Sequence, residues 1–321
     1  MIRYILKRLL WLIPVLLGVS ILIFTILYFT PGDPMNTILG PNPTPEQIEI
    51  TRAKLHLDQP YLVQLGIFLK DLIHFDLGES YANKASVSQE ILHRLPNTAT
   101  IAGVVALMQL AIAIPLGVTA AVHQNKWQDR FCILLSMVGT SIPGFWFAML
   151  MILLFSLKLG WLPSYGVGHW YNFIMPCLAI ALMGIGGMAR QTRSQMLEVI
   201  RSDYIITARA KGVSERDILY RHALPNALIP VVTQVGTQFG KAMGGSIVIE
   251  SVFSIPGIGY YLVTGIGNRD YAAIRGTVVV FALLFSLCIL LIDLVYAFID
   301  PRIKAQYENQ HKRRMKKVVE P

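Results

Sequence analysis

The sequence predicts an all-α integral membrane protein with six membrane-crossing helices and both termini on the cytoplasmic side. Three observations lead there. Of the 321 residues, 54% are hydrophobic and 15% charged, whereas about a quarter of the residues in soluble domains carry charge. Six apolar runs approach the roughly 20 residues that cross a bilayer, near 9–29, 97–121, 131–157, 173–189, 229–250 and 276–299. Basic residues then sort the loops. With the N-terminus inside, the inner segments hold three, two, seven and seven Lys and Arg, and the outer ones five, one and two, with Lys241 inside a span. That bias is the positive-inside signature.

The elements follow in chain order. Residues 1–29 carry Arg3, Lys7 and Arg8 ahead of the first apolar run. The run is too long for a cleaved leader and no small-residue cleavage pattern follows it, so it is expected to be an anchor. Residues 30–96 form the largest extracytoplasmic piece. "TPGDP" stops the first helix; Thr44, Pro45 and Gln47 then have the spacing of an N-cap, a first-turn proline and a capping-box partner. A helix is expected from there to about Leu55, and a second after Asp58 with Pro60 at its start and Leu62, Leu65, Leu69 and Ile73 on one face. These two read as a small amphipathic cap against the outer membrane surface or a partner, or as an ordered loop without a role of its own.

The remaining five spans occupy 97–299, the fourth being short and the fifth weakly apolar. Cys132, Cys177 and Cys288 all lie in apolar runs and read as small hydrophobes. In the fifth span Gln234, Gln238 and Lys241 recur at helical spacing and share a face, while Gly236, Gly240 and Gly244 recur every fourth residue on roughly the opposite one. The glycines would admit another helix closely. A mid-bilayer Lys facing lipid costs about 2.5–3.5 kcal/mol on insertion scales, so the polar face points to protein or to a water-filled translocation pathway; joining neighbouring helices is the plainer alternative. The tail 300–321, with "HKRRMKK", reads as a contact with anionic lipid rather than nucleic acid, and the net charge of +9 has the same membrane origin.

Catalytic signatures are missing from the sequence. No H-E-x-x-H, G-x-S-x-G or P-loop occurs, and Asp293 is a lone acid. The outer histidines His56, His74, His93 and His169 are too far apart in sequence to suggest a metal site. A transport role would thus need energy from another chain or from an ion gradient.

The longest inner segment, 190–228, contains "TARAKGVSERDILYRHALPNAL". "DYIITARAK" from Asp203 should form a helix stopped by Gly212; Ser214 should cap a second, with Asp217 three residues on, running through Leu219 and Tyr220 and ending near Pro225. Ala208 and Ala210 leave the first helix thin, and Tyr204, Arg209 and Lys211 give it handles, features that suit insertion into a groove of another protein. A solvated loop is the bland alternative.

This stretch resembles the cytoplasmic loop of permease subunits of ABC importers, where a Glu-Ala-Ala element precedes a Gly and an Ile-x-Leu-Pro ending. Aligned on Gly212, Ile206 takes the Glu position, Thr207 and Ala208 the two Ala positions, and His222 the Ile position, while Leu224 and Pro225 match. "DYIITARAKG" and "RHALPNA" are similar to the variant in the dipeptide, oligopeptide and nickel branch, as are "TPGDP", "LDQPYLVQ", "DLGES", "IPLGVTAA", "SIPGFW" and "IESVFSIPGIGYYLVTGIGNRDY". The resemblance implies a type I ABC importer permease fold in the bacterial inner or plasma membrane. It also implies a second homologous permease subunit, two ABC ATPase subunits that bind ATP and Mg, and an extracytoplasmic solute-binding protein, with no cofactor in this chain. Tyr204 to Gly212 would be the coupling helix, with Pro225 closing the loop, and Gln234, Gln238 and Lys241 would lie near the path of an alternating-access transporter. Peptides are the first expectation for the solute; nickel, glutathione and other small solutes stay open. An ion-coupled transporter or channel is the rival class, but it would usually show mid-span carboxylates or matched interrupted helices.

Overall fold

A computed structural model describes residues 2–32, 34–40 and 42–299. The chain is all-helical; among the described residues the only β pairing is an isolated bridge between Glu79 and Ser86. The first helix, α1 (Ile2–Phe29), is peripheral, with most of its apolar surface exposed. Short α2 (Met35–Leu39) is followed by α3 (Pro45–Lys54), which starts as expected: Thr44 Oγ1 accepts from Gln47 N, and Gln47 Oε1 accepts from Thr44 N. The next helix, α4 (Tyr61–Ile73), packs on the C-terminal end of α1 through Tyr61, Leu65, Phe68, Leu69 and Leu72. Leu62 and Ile73, expected on that face, are instead 75% and 74% exposed. In so apolar a helix, spacing alone does not choose among adjacent faces; here the Phe24 ring of α1, stacked on Phe68 at 5.7 Å between centroids, selects the face.

Helix α5 (Val87–Val122) begins ten residues before the expected span and is about 54 Å long at 1.5 Å per residue, well beyond the hydrocarbon core. Pro96 is accommodated inside it, its carbonyl taking a 2.8 Å hydrogen bond from the Thr100 hydroxyl. The expected third span is broken. Ile142 is extended (φ −88°, ψ 123°), as a residue before proline prefers, and α6 (Trp127–Ser141) turns by 96° into α7 (Gly144–Met151) and a π-helical turn, Ile152–Lys158.

The most buried helix, α8 (Ile174–Ile200), is the hub against which α5, α6 and α11 pack. Close approach explains its small residues: a Cβ on Gly186 would collide with the Ser136 backbone of α6, and one on Gly117 of α5 would come within 2.6 Å of the Ala189 carbonyl. After α8 come α9 (Asp203–Ala210), one turn of α10 (Glu215–Asp217), a π-helical stretch Ile218–Ala223, α11 (Leu224–Val252), short α12 (Ile258–Gly267) and α13 (Tyr271–Ile299). By length and composition four helices can cross a membrane, or five if the bent pair is one span; α11 is long but not apolar enough to be among them.

Candidate functional site

The segment after α8 is stopped and capped at each turn. Ser202 is extended ahead of α9, and Asp203 puts a negative charge on its first turn, where the helix dipole favours one. At the other end Gly212 takes φ +77°, a conformation that suits glycine. There Gly212 N donates to Arg209 O (2.9 Å) and Val213 N to Ala208 O (3.2 Å), the paired bonds of a Schellman stop. Ser214 then caps α10, accepting from Asp217 N at 3.2 Å, and its hydroxyl donates to the Asp217 carboxylate at 2.7 Å. Arg209 closes the hairpin with two bonds to Glu215, of 2.6 and 3.2 Å. That hydrogen-bonded cation holds the Glu215 carboxyl below the usual carboxylate range.

Beneath this hairpin lie two side chains that pattern reading passed over. Ile205 and Ile218 are fully buried against Val118 and Ala121 of α5, Met196 of α8, and Ala223 and Ala227. Each has an apolar neighbour, Ile206 beside Ile205 and Leu219 beside Ile218, and only the tertiary arrangement distinguishes buried Ile205 from exposed Ile206. Tyr204, Ile206 and Tyr220 stand out from the surface, 46%, 55% and 57% exposed; Arg209, Lys211 and Gly212 are exposed with them. Ala208 is half-buried and packs inward, so it does not thin the outer face.

The second helix of this piece does not end near Pro225. The chain stays helical from Glu215 through the π-turns into α11, with Pro225 in the first turn of the α-helical part. The segment from Glu215 to Val252 therefore forms one rod. Along α11, a Cβ on Gly236 would collide with Ile292, and one on Gly240 with Phe285, both of α13. At Gly244 a Cβ would meet nothing within 4 Å among the described residues. Gln234 and Gln238 are half-buried, Gln234 facing Gly187 of α8, and the Gln234 Oε1 has no hydrogen-bond donor among the described residues. The side chains of Lys241 and Asp293 and the tail 300–321 lie outside the described residues.

Three buried polar junctions also escaped the sequence reading. Asp129 of α6 accepts two bonds from Arg193 of α8, at 2.5 and 2.8 Å, and one from Asn125 N at 2.8 Å. Glu250, at the end of α11, accepts from Thr98 of α5 (2.8 Å) and from Tyr260 N of α12 (2.9 Å). Asp270 accepts from Ser80 (2.5 Å), Ala82 N (3.2 Å) and Ala273 N (3.0 Å), pinning the outer segment to the start of α13. Each has a side-chain partner from another element, Arg193, Thr98 or Ser80, that lies 64 to 190 residues away, where local spacing carries no signal.

Comparison with known proteins names the class. Residues 113–305 match the family described as "Binding-protein-dependent transport system inner membrane component", and residues 1–102 the corresponding N-terminal family. The chain belongs to this family: it is a multi-pass inner-membrane permease of a binding-protein-dependent ABC importer. It is 44% identical over 308 residues to a protein of Brucella abortus bearing the name peptide transport system permease (94% of this chain, 98% of the relative). It is 42% identical over 304 residues to the glutathione transport system permease protein GsiC of Salmonella typhimurium (95% and 99%). In fold it resembles a chain of the MetNI methionine ABC transporter in an inward-facing conformation, with TM-score 0.57 and 19% identity over 66% of this chain and 97% of that one.

Proposed function

We propose that this chain is one of two permease subunits of an ATP-driven importer for short peptides, and that its α9 hairpin is the docking point of a separate ATPase subunit. The observation that carries the reading is the continuity of the docking surface with α11: a push on Tyr204, Ile206 or Tyr220 is borne by a hairpin seated on Ile205 and Ile218 and passes into a helix that runs unbroken to Val252. ATP and Mg would be bound by the ATPase, and nucleotide need only favour one of two arrangements through contacts that differ between them.

Six spans with the N-terminus inside fit the contacts. The loop at 124–129 meets Arg193 and Arg201 on the side of the basic hairpin, whereas the outer segment meets 268–271 on the opposite side, through Thr37 to Asn268 and Ser80 to Asp270. In that topology α6 and α7 together make one bent span, α12 lies at the outer face, and the half-buried face of Gln234 and Gln238 is the candidate path, the buried Gln234 Oε1 having no donor among the described residues. A binding protein would deliver the solute from outside. The names of the relatives favour peptides, glutathione being itself a tripeptide.

Two experiments test this. Gly212→Leu forces a branched side chain into a left-handed conformation that costs roughly 1–2 kcal/mol; it should leave ATP hydrolysis running while uptake collapses. Normal uptake in that variant refutes the docking assignment. Uptake of labelled di- and oligopeptides, glutathione and nickel by a deletion strain carrying this chain identifies the solute, and nickel uptake without peptide uptake refutes the substrate reading.

A further inference from the structure

The outer end of the α11 rod is fastened in a way that its function as a lever does not by itself require. Glu250 is fully buried, yet no Lys or Arg is paired with it among the described residues. Its carboxylate is instead surrounded by neutral donors from two other elements. The Thr98 hydroxyl of α5 donates to Oε1 at 2.8 Å, and Tyr260 N, in the first turn of α12, donates to Oε2 at 2.9 Å. Thr98 Oγ1 in turn accepts from Ile258 N at 2.9 Å, and the adjacent Asn97 side chain donates to Pro256 O at 3.0 Å. A Cβ on Gly257 or Gly259 would run into this carboxylate, so the turn before α12 is shaped around it.

Burying a carboxylate without a cation is a poor way to gain stability, since the desolvation penalty offsets most of the hydrogen bonding. What such a group does well is to specify one arrangement of the elements that donate to it. Here the elements are the outer ends of α5 and α11 and the whole of α12, which is apolar but only ten residues long, about 15 Å and half a bilayer core. α12 also approaches α11 closely, since a Cβ on Gly259 would collide with the Ile247 backbone; to that non-directional contact Glu250 adds directed bonds.

We propose that Glu250 is a positioning residue that binds α12 to the α11 rod as its outer arm, so that a displacement imposed at the cytoplasmic hairpin moves α12 at the outer face. The proposal rests on the docking reading above for its source of motion. It assigns α12 to the moving closure at the outer end of the path, and Thr98 to the seat that keeps the arm in register.

The test uses the complete transporter in lipid nanodiscs, with nitroxide labels at Ile266→Cys on the exposed side of α12 and at Leu62→Cys on α4 as reference, read with and without nucleotide. Three backgrounds are compared. Glu250→Leu removes both acceptors. Glu250→Gln keeps one for Tyr260 N and can donate to Thr98. Thr98→Val removes the seat. The unsubstituted background should show a nucleotide-dependent distance change. Glu250→Leu should abolish it while ATP hydrolysis continues, with uptake falling about tenfold, the order expected from losing a hydrogen bond to a charged group. Glu250→Gln should restore the distance change and most of the uptake. A distance change that survives in both Glu250→Leu and Thr98→Val overturns the proposal, as does the lack of any change in an unsubstituted transporter that imports normally. If Glu250→Leu fails to assemble, Thr98→Val and Glu250→Gln decide by the same distance. Failure of the docking reading looks different: Gly212→Leu would then import normally, whatever α12 does.

Discussion

The two ends of the α11 rod are held by different physics. At the hairpin end two isoleucines sit in an apolar seat and the polar bonds are exposed: Arg209 and Glu215 are 40% and 63% exposed at their side chains, Arg221 and Asp217 79% and 43%. At the outer end the charged groups are inside: Glu250 and Asp270 are buried and bonded to hydroxyls and backbone amides of distant elements. Apolar contact is non-directional and tolerates small rolling of one surface on another. A carboxylate sharing several directed donors does not. On the docking proposal, a permease driven from one end needs a hairpin that can adjust to its driver and a far end that keeps its geometry, and this division would supply both.

The contrast has its largest consequence at the apolar seat. Ile205→Ala should cost about 2–5 kcal/mol at a site where the isoleucine is wholly buried. Because the loss falls on a single hairpin, it should appear in hydrogen exchange as fast opening of 203–223 with the outer half unchanged, and in transport as loss of uptake with poor retention of ATPase on purification. Equal protection of the hairpin in the variant would mean that exposed ion pairs, not the seat, hold it.

Next comes the outer lock. Asp270→Ala removes the acceptor of Ser80 Oγ, Ala82 N and Ala273 N and so both a helix cap and the tie to the outer segment; about 2–3 kcal/mol is expected from cap and charged hydrogen bonds together. Exchange should rise at 79–86 and at the start of α13, with the cytoplasmic hairpin untouched. Asp270→Asn, which retains one acceptor, should lose less. Opening of both ends in Asp270→Ala would show that they are one cooperative unit rather than two.

How much of this was legible follows the same division. Local chemistry was readable: the Thr44 and Gln47 box, the Gly212 stop and the Ser214 cap are set by residues within three or four positions of one another. The helical core was readable because composition alone demands it. Interactions across the fold were not. Nothing near Glu250 in sequence points to Thr98, and nothing separates buried Ile205 from exposed Ile206 until the inner ends of α5 and α8 are in place. Proline misled in both directions: Pro143 breaks a span that hydropathy made continuous, whereas Pro225 fails to end a helix, which continues from the π-helical stretch Ile218–Ala223 into α11.

The smallest effect belongs to the exposed bridge between Arg209 and Glu215, and its smallness is what the comparison requires. Arg209 lowers the Glu215 pKa, so the bridge contributes above the ordinary glutamate value of about 4.3 and is lost only as pH falls through the lower folded value. Between about pH 5 and 8 the carboxylate stays ionised and the bridge is constant. Since both side chains are solvated, salt screens it further. Glu215→Gln should therefore leave hairpin protection and coupled uptake unchanged within error at neutral pH, at low and at high salt alike. A clear loss of coupling without loss of protection would instead mark Glu215 as a contact of the ATPase, and would move the working surface of the hairpin from its exposed tyrosines to its charges.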